Sequence, residues 1–461
     1  MNIKQLKWSM FTITAVGNFI SMLDSTTVNL ALYPISVDFD ITIGQVQWVM
    51  IAYMLVLTVL LPFFGKLGDI FPKNKLYSAG FGLFAFGAFL NTMATTFELL
   101  ILFRCIEAVG ASIMLSNAQA IIATIFKGVR RGKALGLNGC LVAVGGMSGP
   151  ALGGILINYF NWQAIFYPSL IVGVIGCYFA YGILPRKNIT QIKKLKFDYK
   201  GFLYFSICLF ALLLAISQGH EWGWNSVRII ALGVITLIFG ALFYFRDHKI
   251  NYPLINFSLF KIKPFTFGNL AVMTSYMAMC TNSILLPFFL QEIQGRNPMV
   301  AGLLILPYSV TLSVTAPIAG RLSGKYGSRY LTLAGPSLYC VALMFFTLLG
   351  KDASMWQIVF ASGIMGIGNG LFQSPSNNAI MTCVNKSELG IASGILALSR
   401  NMGHILGVAV AITLFESFRN IFVNTTAYET AFLYSYKITM CFGIAFGLIC
   451  LGFAYIAYKN D

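Results

Sequence analysis

The sequence predicts an all-α membrane protein with fourteen transmembrane helices, arranged in groups of six, two and six. Apolar residues make up 57% of the chain and charged residues only 10%, whereas a soluble domain carries about 25% charged residues. Apolar segments that are long enough to span a bilayer recur from end to end. A short basic loop also occurs twice, about half the chain apart, which indicates two related halves.

The predicted helices are runs of about 18 or more nearly uncharged residues, the length that a bilayer requires. The first run is too long for a cleavable signal peptide and lacks a small-residue cleavage site, so we expect it to remain as helix 1. The fourteen runs are 9–32, 44–64, 76–95, 98–122, 134–157, 164–184, 201–218, 228–245, 265–290, 299–319, 330–349, 354–380, 390–414 and 434–458.

The distribution of basic residues predicts the orientation. With the N-terminus in the cytoplasm, 24 of the 31 Lys and Arg residues fall in cytoplasmic segments and five in external ones. This is the positive-inside asymmetry, and an even number of helices also leaves the C-terminus in the cytoplasm. We therefore interpret the net charge of +16 as an orientation signal with contacts to anionic lipid heads, and we expect no nucleic-acid partner.

The repeated loop predicts the domain organisation. Its copies, residues 65–74 and 320–329, follow predicted helices 2 and 10. Two bundles of six helices alone would place the second copy after helix 8, so helices 7 and 8 are additional. The predicted parts are an N-terminal six-helix bundle (1–184), a basic linker with helices 7 and 8 (185–263), and a C-terminal six-helix bundle (264–461).

The first loop resembles the loop signature of the major facilitator superfamily. Glycines let helix ends approach closely, and an Asp at a helix end can pair with basic groups to latch the cytoplasmic side. In the second copy Gly324 takes the position of the Asp, so we expect an asymmetric latch; alternatively, the loop only orients its hairpin. The matching residues are Gly65, Leu67, Asp69, Lys73 and Lys75 in the first copy, and Gly320 and Arg329 in the second.

Residues 145–154 contain five glycines and a proline. Such a composition disfavours a helix in water, but in a membrane it permits close packing and a bend. The segment resembles the antiporter motif of the same superfamily, which implies packing against the other half and proton-coupled export; a plain packing helix is the alternative. The motif positions are Gly145, Gly149, Pro150, Gly153 and Gly154.

Asp24 lies within the otherwise apolar helix 1. A carboxylate there is costly unless it faces a cavity, finds a partner or takes up a proton. Residues 23–32 resemble the helix 1 signature of the fourteen-span drug:proton antiporters, although Tyr33 stands where that family has proline. Asn29 lies about 140° around the helix from Asp24, so we do not assign both to one substrate contact.

Arg104 and Glu107 are three residues apart in helix 4 and therefore share a helix face. The segment resembles the RxxQG motif of the superfamily, whose Arg is implicated in proton transfer. Glu107 replaces the usual Gln and adds a second titratable acid. Two interpretations stay open: a static ion pair that neutralises Arg104, or a second proton carrier.

Other polar residues within predicted helices are candidates to line a substrate cavity. Arg400 and His404 are four apart and share a face of helix 13, although a packed, neutral histidine is an alternative role. The candidates are Asn29, Asn369, Gln373, Asn377, Arg400 and His404.

The sequence gives no support for an enzyme or a cofactor. The nine cysteines never form a CxxC pair and the three histidines are scattered, so no zinc site or disulfide framework is expected. Neither a catalytic Ser/His/Asp arrangement nor a phosphate-binding loop is present. We expect a protein without cofactors that is driven by the proton gradient.

The resemblance implies a major facilitator fold with two pseudo-symmetric bundles in a bacterial inner (plasma) membrane. It implies a monomeric, proton-coupled antiporter that exports hydrophobic, often cationic drugs by alternating access. Its partners would be small hydrophobic substrates, protons and lipids, with Asp24, Arg104 and Glu107 coupling proton movement. The alternative is an exporter of an endogenous lipid, fatty acid or siderophore-like metabolite. The antiporter-type segment disfavours a nutrient symporter.

We predict that Asp69→Asn slows the transport cycle more than it weakens substrate binding. Asp69 belongs to a loop motif, far from any cavity within the bundles, and the substitution removes the charge that a latch requires. Turnover in liposomes should fall while the equilibrium affinity changes little. A large loss of affinity with unchanged turnover would show that Asp69 has a different role.

Overall fold

The computed structural model describes residues 3–126, 129–184, 198–247, 249–250, 257–385, 389–423 and 427–459. These residues are almost entirely helical, and the described ranges contain no β-strand. The α-helices are α1 (Ile3–Asp38), α2 (Ile43–Val46), α3 (Trp48–Ile70), α4 (Lys73–Thr92), α5 (Phe97–Ile125), α6 (Val129–Tyr159), α7 (Tyr167–Ile183), α8 (Tyr199–Trp222), α9 (Val227–Asp247), α10 (Lys263–Phe288), α11 (Pro298–Tyr326), α12 (Arg329–Thr347), α13 (Met355–Thr382), α14 (Leu389–Val423) and α15 (Tyr428–Ala457).

The all-helical class predicted from the sequence is confirmed. Apart from the single-turn helix α2, there is one helix for each of the fourteen predicted segments. Among the described residues, eleven helical segments are long and apolar enough to cross a membrane by length and composition. Helices α1, α4 and α6 are not among these segments. The fourteen crossings and the six-two-six layout therefore stay predictions.

Local sequence signals set several helix boundaries. Thr42 forms a capping box with Gln45 before α2, and Ser354 forms one with Gln357 before α13. These side chains satisfy backbone N–H groups that a helix start leaves without partners. Gly327, with φ of 82°, follows α11 in the left-handed conformation that glycine tolerates best.

The chain divides into two compact units. Unit 1 comprises residues 1–197 with 297–302, and unit 2 comprises 198–296 with 303–461. Within unit 1, α1 packs on α6, α3 packs on α5, and α4 packs on α5 and α7. Within unit 2, α10 packs on α14 and α15, and α12 packs on α13 and α15. Helices α8 and α9 pair with each other, and α8 also contacts α14.

The repeated loop follows similar helix crossings in the two units. In unit 1, Gly68 of α3 lies so close to α5 that a Cβ atom would be 1.5 Å from Oδ1 of Asn117. In unit 2, Gly320 of α11 lies against α13, where a Cβ atom would be 2.5 Å from Oγ of Ser374. The missing side chains permit both approaches.

Three glycines of the 145–154 segment face α1 of the same unit. Their spacing of four residues places them along one face of α6. A Cβ at Gly145, Gly149 or Gly153 would lie 2.6 Å from O of Phe19, 1.9 Å from Oγ1 of Thr26, or 2.8 Å from Cγ2 of Thr27, respectively. Gly154 instead faces residues 298–299, which also belong to unit 1. The segment thus holds α1 tightly against α6.

We predict that Gly149→Ala destabilises the protein and Gly146→Ala does not. The new methyl group at 149 would overlap Thr26, whereas at 146 its nearest neighbour would be Cε of Met22 at 3.5 Å, an ordinary contact. Overpacking of this kind costs about 1–3 kcal/mol. Thermal unfolding in detergent should show a lower midpoint for Gly149→Ala only. Equal midpoints for both variants would contradict the tight contact between α1 and α6.

Candidate functional site

A group of three buried ionisable residues, Asp24, Arg104 and Glu107, lies inside unit 1; we call it the charge cluster. Their side chains are 1%, 1% and 0% exposed, respectively. Nη1 of Arg104 donates a hydrogen bond of 2.7 Å to Oδ2 of Asp24, which joins α5 to α1. The other carboxylate oxygen of Asp24 accepts a 3.2 Å bond from Oγ of Ser169 on α7.

Glu107 binds the same guanidinium nitrogen as Asp24. Its Oε2 atom accepts hydrogen bonds of 2.7 Å from Nη1 of Arg104 and 2.7 Å from Nδ2 of Asn91 on α4. Gly87, one turn before Asn91, brings α4 close enough, because a Cβ there would lie 2.5 Å from the backbone nitrogen of Glu107. The spacing of three along α5 and the close approach of α4 together position this carboxylate.

Aromatic rings enclose the guanidinium of Arg104. Its Cζ atom lies 4.2 Å from the ring centre of Tyr53 on α3 and 5.6 Å from that of Phe166. Nε donates a longer bond of 3.4 Å to the carbonyl oxygen of Val49. Rings over a cation stabilise it through their negative faces. Helices α1, α3, α4, α5 and α7 thus all contribute to one desolvated site.

The charge cluster has one carboxylate more than its single cation can neutralise. If Asp24 and Glu107 are both ionised, the three side chains carry a net charge of −1 in a site without solvent access. Oε1 of Glu107 is buried and accepts no hydrogen bond from any residue that the structure describes. Because an uncompensated buried charge is costly, uptake of one proton would make the cluster neutral.

The structure brings together residues that the sequence treated separately. The sequence predicts that Asp24 faces a cavity, has a partner or takes up a proton, and the structure shows that Arg104 is its partner. The sequence did not identify Asn91 or Ser169 as site residues. The only signal for either was that Asn91 is an isolated polar residue in predicted helix 3. The sequence also missed Tyr53, since nothing distinguishes this Tyr from the other 20 in the chain.

The cavity candidates in the second half lie on two helices of unit 2. On α13, Asn369 donates a 2.8 Å hydrogen bond to Oη of Tyr308, and Gln373 donates to Oη of Tyr276. On α14, Arg400 and His404 are half-buried. Their proposed roles in substrate contact stay predictions. The remaining candidates are Asn377, half-buried on α13, and Asn29, half-buried on α1 of unit 1.

The two copies of the loop motif are only partly described. Leu67 is half-buried and Lys75 exposed, whereas the side chain of Asp69 is outside the described part of the structure. In the second copy, Nη1 of Arg329 donates a 3.1 Å hydrogen bond to the backbone oxygen of Lys459. The latch therefore stays a prediction. Gly65, by contrast, lies beside Ser116 of α5, consistent with close helix packing.

No cluster of three or more His, Cys, Asp or Glu side chains that could bind a metal occurs among the described residues. The eight cysteines that the structure describes are free thiols.

The many apolar helices of membrane length define an integral membrane protein. The sequence profile of the Major Facilitator Superfamily matches residues 14–264 and 267–459. The chain belongs to this superfamily, so it is a membrane transporter and not an enzyme.

Similar proteins have been described in other bacteria. The chain is 35% identical over 445 residues to the riboflavin transporter RibZ of Clostridioides difficile (strain 630). The aligned region covers 95% of each chain. It is 28% identical to the multidrug resistance protein Stp of Mycobacterium tuberculosis (strain CDC 1551 / Oshkosh), over 86% of this chain and 74% of Stp. These relatives support a location in a bacterial inner membrane.

The fold is also similar to that of a solved transporter structure. A bacterial homolog of the human lysosomal transporter Spinster, in an inward-facing and unoccupied conformation, superimposes with a TM-score of 0.73. The match covers 99% of this chain and 97% of the other, at 15% sequence identity. It bears on the fold alone.

We predict that Glu107→Gln folds normally and changes proton coupling. Arg104 keeps Asp24 as its counterion, and the Gln oxygen can still accept from Arg104 and Asn91. We expect a free energy of unfolding within about 1 kcal/mol of the wild type, and a changed ratio of protons to substrate or a changed preference for cationic substrates in liposomes.

The static ion-pair interpretation of Glu107 predicts a different result, a loss of roughly 3–5 kcal/mol of stability as for other broken buried pairs. Arg104→Met serves as the positive control for that loss, because it leaves two carboxylates without a cation. A Glu107→Gln protein with wild-type stability, stoichiometry and substrate range would contradict both interpretations.

Proposed function

We propose that the protein is a proton-coupled transporter in which the charge cluster carries the proton. The observation that carries this proposal is the pair of buried carboxylates, Asp24 and Glu107, that share one guanidinium nitrogen of Arg104. A static structural ion pair needs one acid for one base. Because the cluster contains a second acid, binding of one proton would make it electrically neutral.

The proposed coupling follows from charge neutrality. With one proton the cluster is neutral and tolerates burial, whereas without it the extra negative charge favours a conformation that admits water or a cationic group. Members of this fold alternate between inward-open and outward-open states by movement of one repeat against the other. Proton gain and loss would therefore bias that alternation. Each net inward charge contributes about 2.3 kcal/mol per 100 mV.

The first candidate function is export of hydrophobic, often cationic drugs from the cytoplasm in exchange for protons. Similarity to the multidrug resistance protein Stp supports it, as do the sequence motifs of the drug:proton antiporters. In this scheme the cargo and the proton compete. A cationic cargo that arrives from the cytoplasm favours the ionised carboxylate, and the proton leaves inward. The cytoplasmic position of both termini and a monomeric state belong to this proposal.

The second candidate function is transport of riboflavin or a related flavin. A specific observation favours it, namely that the 35% identity with RibZ extends over 95% of both chains. Riboflavin is uncharged, so it would not compete with the proton for the ionised carboxylate. A further alternative with a natural substrate is export of an endogenous lipid, fatty acid or siderophore-like metabolite.

The test is transport by the purified protein in liposomes under an imposed pH gradient. The panel should contain a lipophilic cation such as tetraphenylphosphonium, riboflavin as an uncharged heteroaromatic, and an anionic fatty acid. Proton movement is followed by an internal pH-sensitive dye. Cargo movement without any coupled proton flux would contradict the proposal, whichever compound moves.

We predict that Asp24→Asn abolishes proton-coupled transport while the protein still folds. The Asn oxygen can accept from Arg104 and its amide nitrogen can donate to the Ser169 hydroxyl oxygen, but the side chain has no titratable proton. Asp38→Asn is the matched control, because Asp38 ends the same helix and accepts from Nε1 of Trp162, away from the charge cluster. Coupled transport at the wild-type rate by Asp24→Asn would refute the role of Asp24.

A further inference from the structure

An uncharged row of amide side chains on α13 suggests what the second unit recognises. We propose that Asn369, Gln373 and Asn377, with the Tyr276 and Tyr308 hydroxyl groups, form a recognition site for a neutral heteroaromatic molecule with alternating hydrogen-bond donors and acceptors on one edge. The inference rests on the proposed transport function and names its substrate class. We call these five residues the amide site.

The two tyrosine hydroxyls of the amide site are held as donors. Nδ2 of Asn369 donates to Oη of Tyr308 at 2.8 Å, and Nε2 of Gln373 donates to Oη of Tyr276. A hydroxyl that accepts a bond still has its own proton to give. The amides therefore fix both hydroxyl oxygens and leave their protons available for carbonyl groups of a ligand.

The amide site also contains acceptors that no described residue satisfies. Oδ1 of Asn369 and Oδ1 of Asn377 are both buried without a hydrogen-bond partner in the described ranges. Asn369 as a whole is only 2% exposed. Leaving a buried carbonyl oxygen without a donor costs about 1–3 kcal/mol. A ligand N–H group at this position would recover that cost.

The spacing places these groups in a line. Residues 369, 373 and 377 are four apart on α13, so their side chains follow one another along one face of the helix. Tyr308 approaches that face from α11, and Tyr276 approaches it from α10. Three helices of unit 2 thus contribute to one strip of donors and acceptors.

The helices that carry the amide site offer no counterion for a cationic cargo. Helices α10, α11 and α13 contain no Asp or Glu, and α13 contains no charged residue at all. The acid beyond α10 is Glu292, 16 residues after Tyr276 and about 24 Å away along a helix axis. Because a desolvated cation without a partner is strongly disfavoured, the site selects for uncharged molecules.

A flavin ring system has the matching chemistry. The pyrimidine edge of its isoalloxazine has an N–H donor between two carbonyl acceptors, and the rest of the ring is planar and apolar. Tyrosine hydroxyl protons can serve the carbonyls, and the Asn369 oxygen can accept from the N–H. A mostly apolar site with a few placed polar groups is typical for recognition of such a molecule.

The inference is tested by equilibrium binding of riboflavin to the purified full-length protein, measured by quenching of flavin fluorescence. Tyr308→Phe removes one donor, and Asn369→Leu removes the acceptor and the group that orients Tyr308. Each should raise the Kd by roughly 3- to 10-fold, the effect of one neutral hydrogen bond.

The matched control is Tyr436→Phe. Tyr436 donates a 3.2 Å hydrogen bond to Oδ1 of Asn282, so this variant removes the same kind of Tyr–Asn contact elsewhere in unit 2. Its Kd for riboflavin should equal that of the wild type. Equal losses in all three variants would mean that the effects are only structural, and would overturn the assignment.

A variant that introduces a negative charge should reverse the preference of the amide site for uncharged ligands. Asn369→Asp keeps the size but adds the counterion that the amide site lacks. Riboflavin affinity should fall by about tenfold or more, because an ionised Asp cannot donate to the Tyr308 hydroxyl and instead accepts the proton that the ligand carbonyl would use. Tetraphenylphosphonium should gain affinity. Unchanged selectivity between the two compounds would overturn the assignment.

These measurements separate the inference from the proposed function. If the wild type moves protons with tetraphenylphosphonium and does not bind riboflavin, proton coupling stands and the amide site is assigned wrongly. If it binds riboflavin through Tyr308 and Asn369 and moves no protons, the amide site stands and the proton-coupled function fails.

Discussion

The rest of unit 1 depends on the two ion pairs that the guanidinium of Arg104 forms with Asp24 and Glu107. One of its nitrogens holds two carboxylates at 2.7 Å, from α1 and from its own helix. None of the three side chains has solvent access, so each tolerates burial only because of the others. Five helices must converge to supply the partners and the enclosing rings. The junction contains two acids and one base, and this excess of one acid is the basis of the proposed proton coupling.

Small residues make such a junction possible. Gly87 lets α4 approach the backbone of Glu107, and the glycines of the 145–154 segment let α6 approach α1, which carries Asp24. In a membrane, helices do not associate through the hydrophobic effect, because lipid is as apolar as the side chains. Close backbone contact at glycine and a few buried polar bonds take over that role. The position of Asp24 thus depends on how the neighbouring residues of α1 pack against α6.

The two units differ in how they use polar residues. Unit 1 buries ionisable side chains, whereas α13 of unit 2 carries amides and is uncharged throughout. Under the proposals made above, energy coupling and substrate recognition would reside in different halves of a duplicated protein. Duplication followed by such divergence is plausible on physical grounds, since a buried charge and an uncharged cargo have opposite demands on the local environment.

The sequence by itself determined the helical class, the long apolar segments, the repeated loop and the pairing of Arg104 with Glu107, because helical periodicity and hydropathy are local properties. It also marked Asp24 as a costly acid, though without a partner. Only the tertiary structure decided that Asp24 meets Arg104 and Ser169 and that Asn91 meets Glu107. It also decided that Tyr308 and Tyr276 meet the amides of α13. Those contacts join residues that are up to 145 positions apart. They depend on which faces of different helices pack together, and glycine-mediated packing sets those faces in ways that no local pattern encodes.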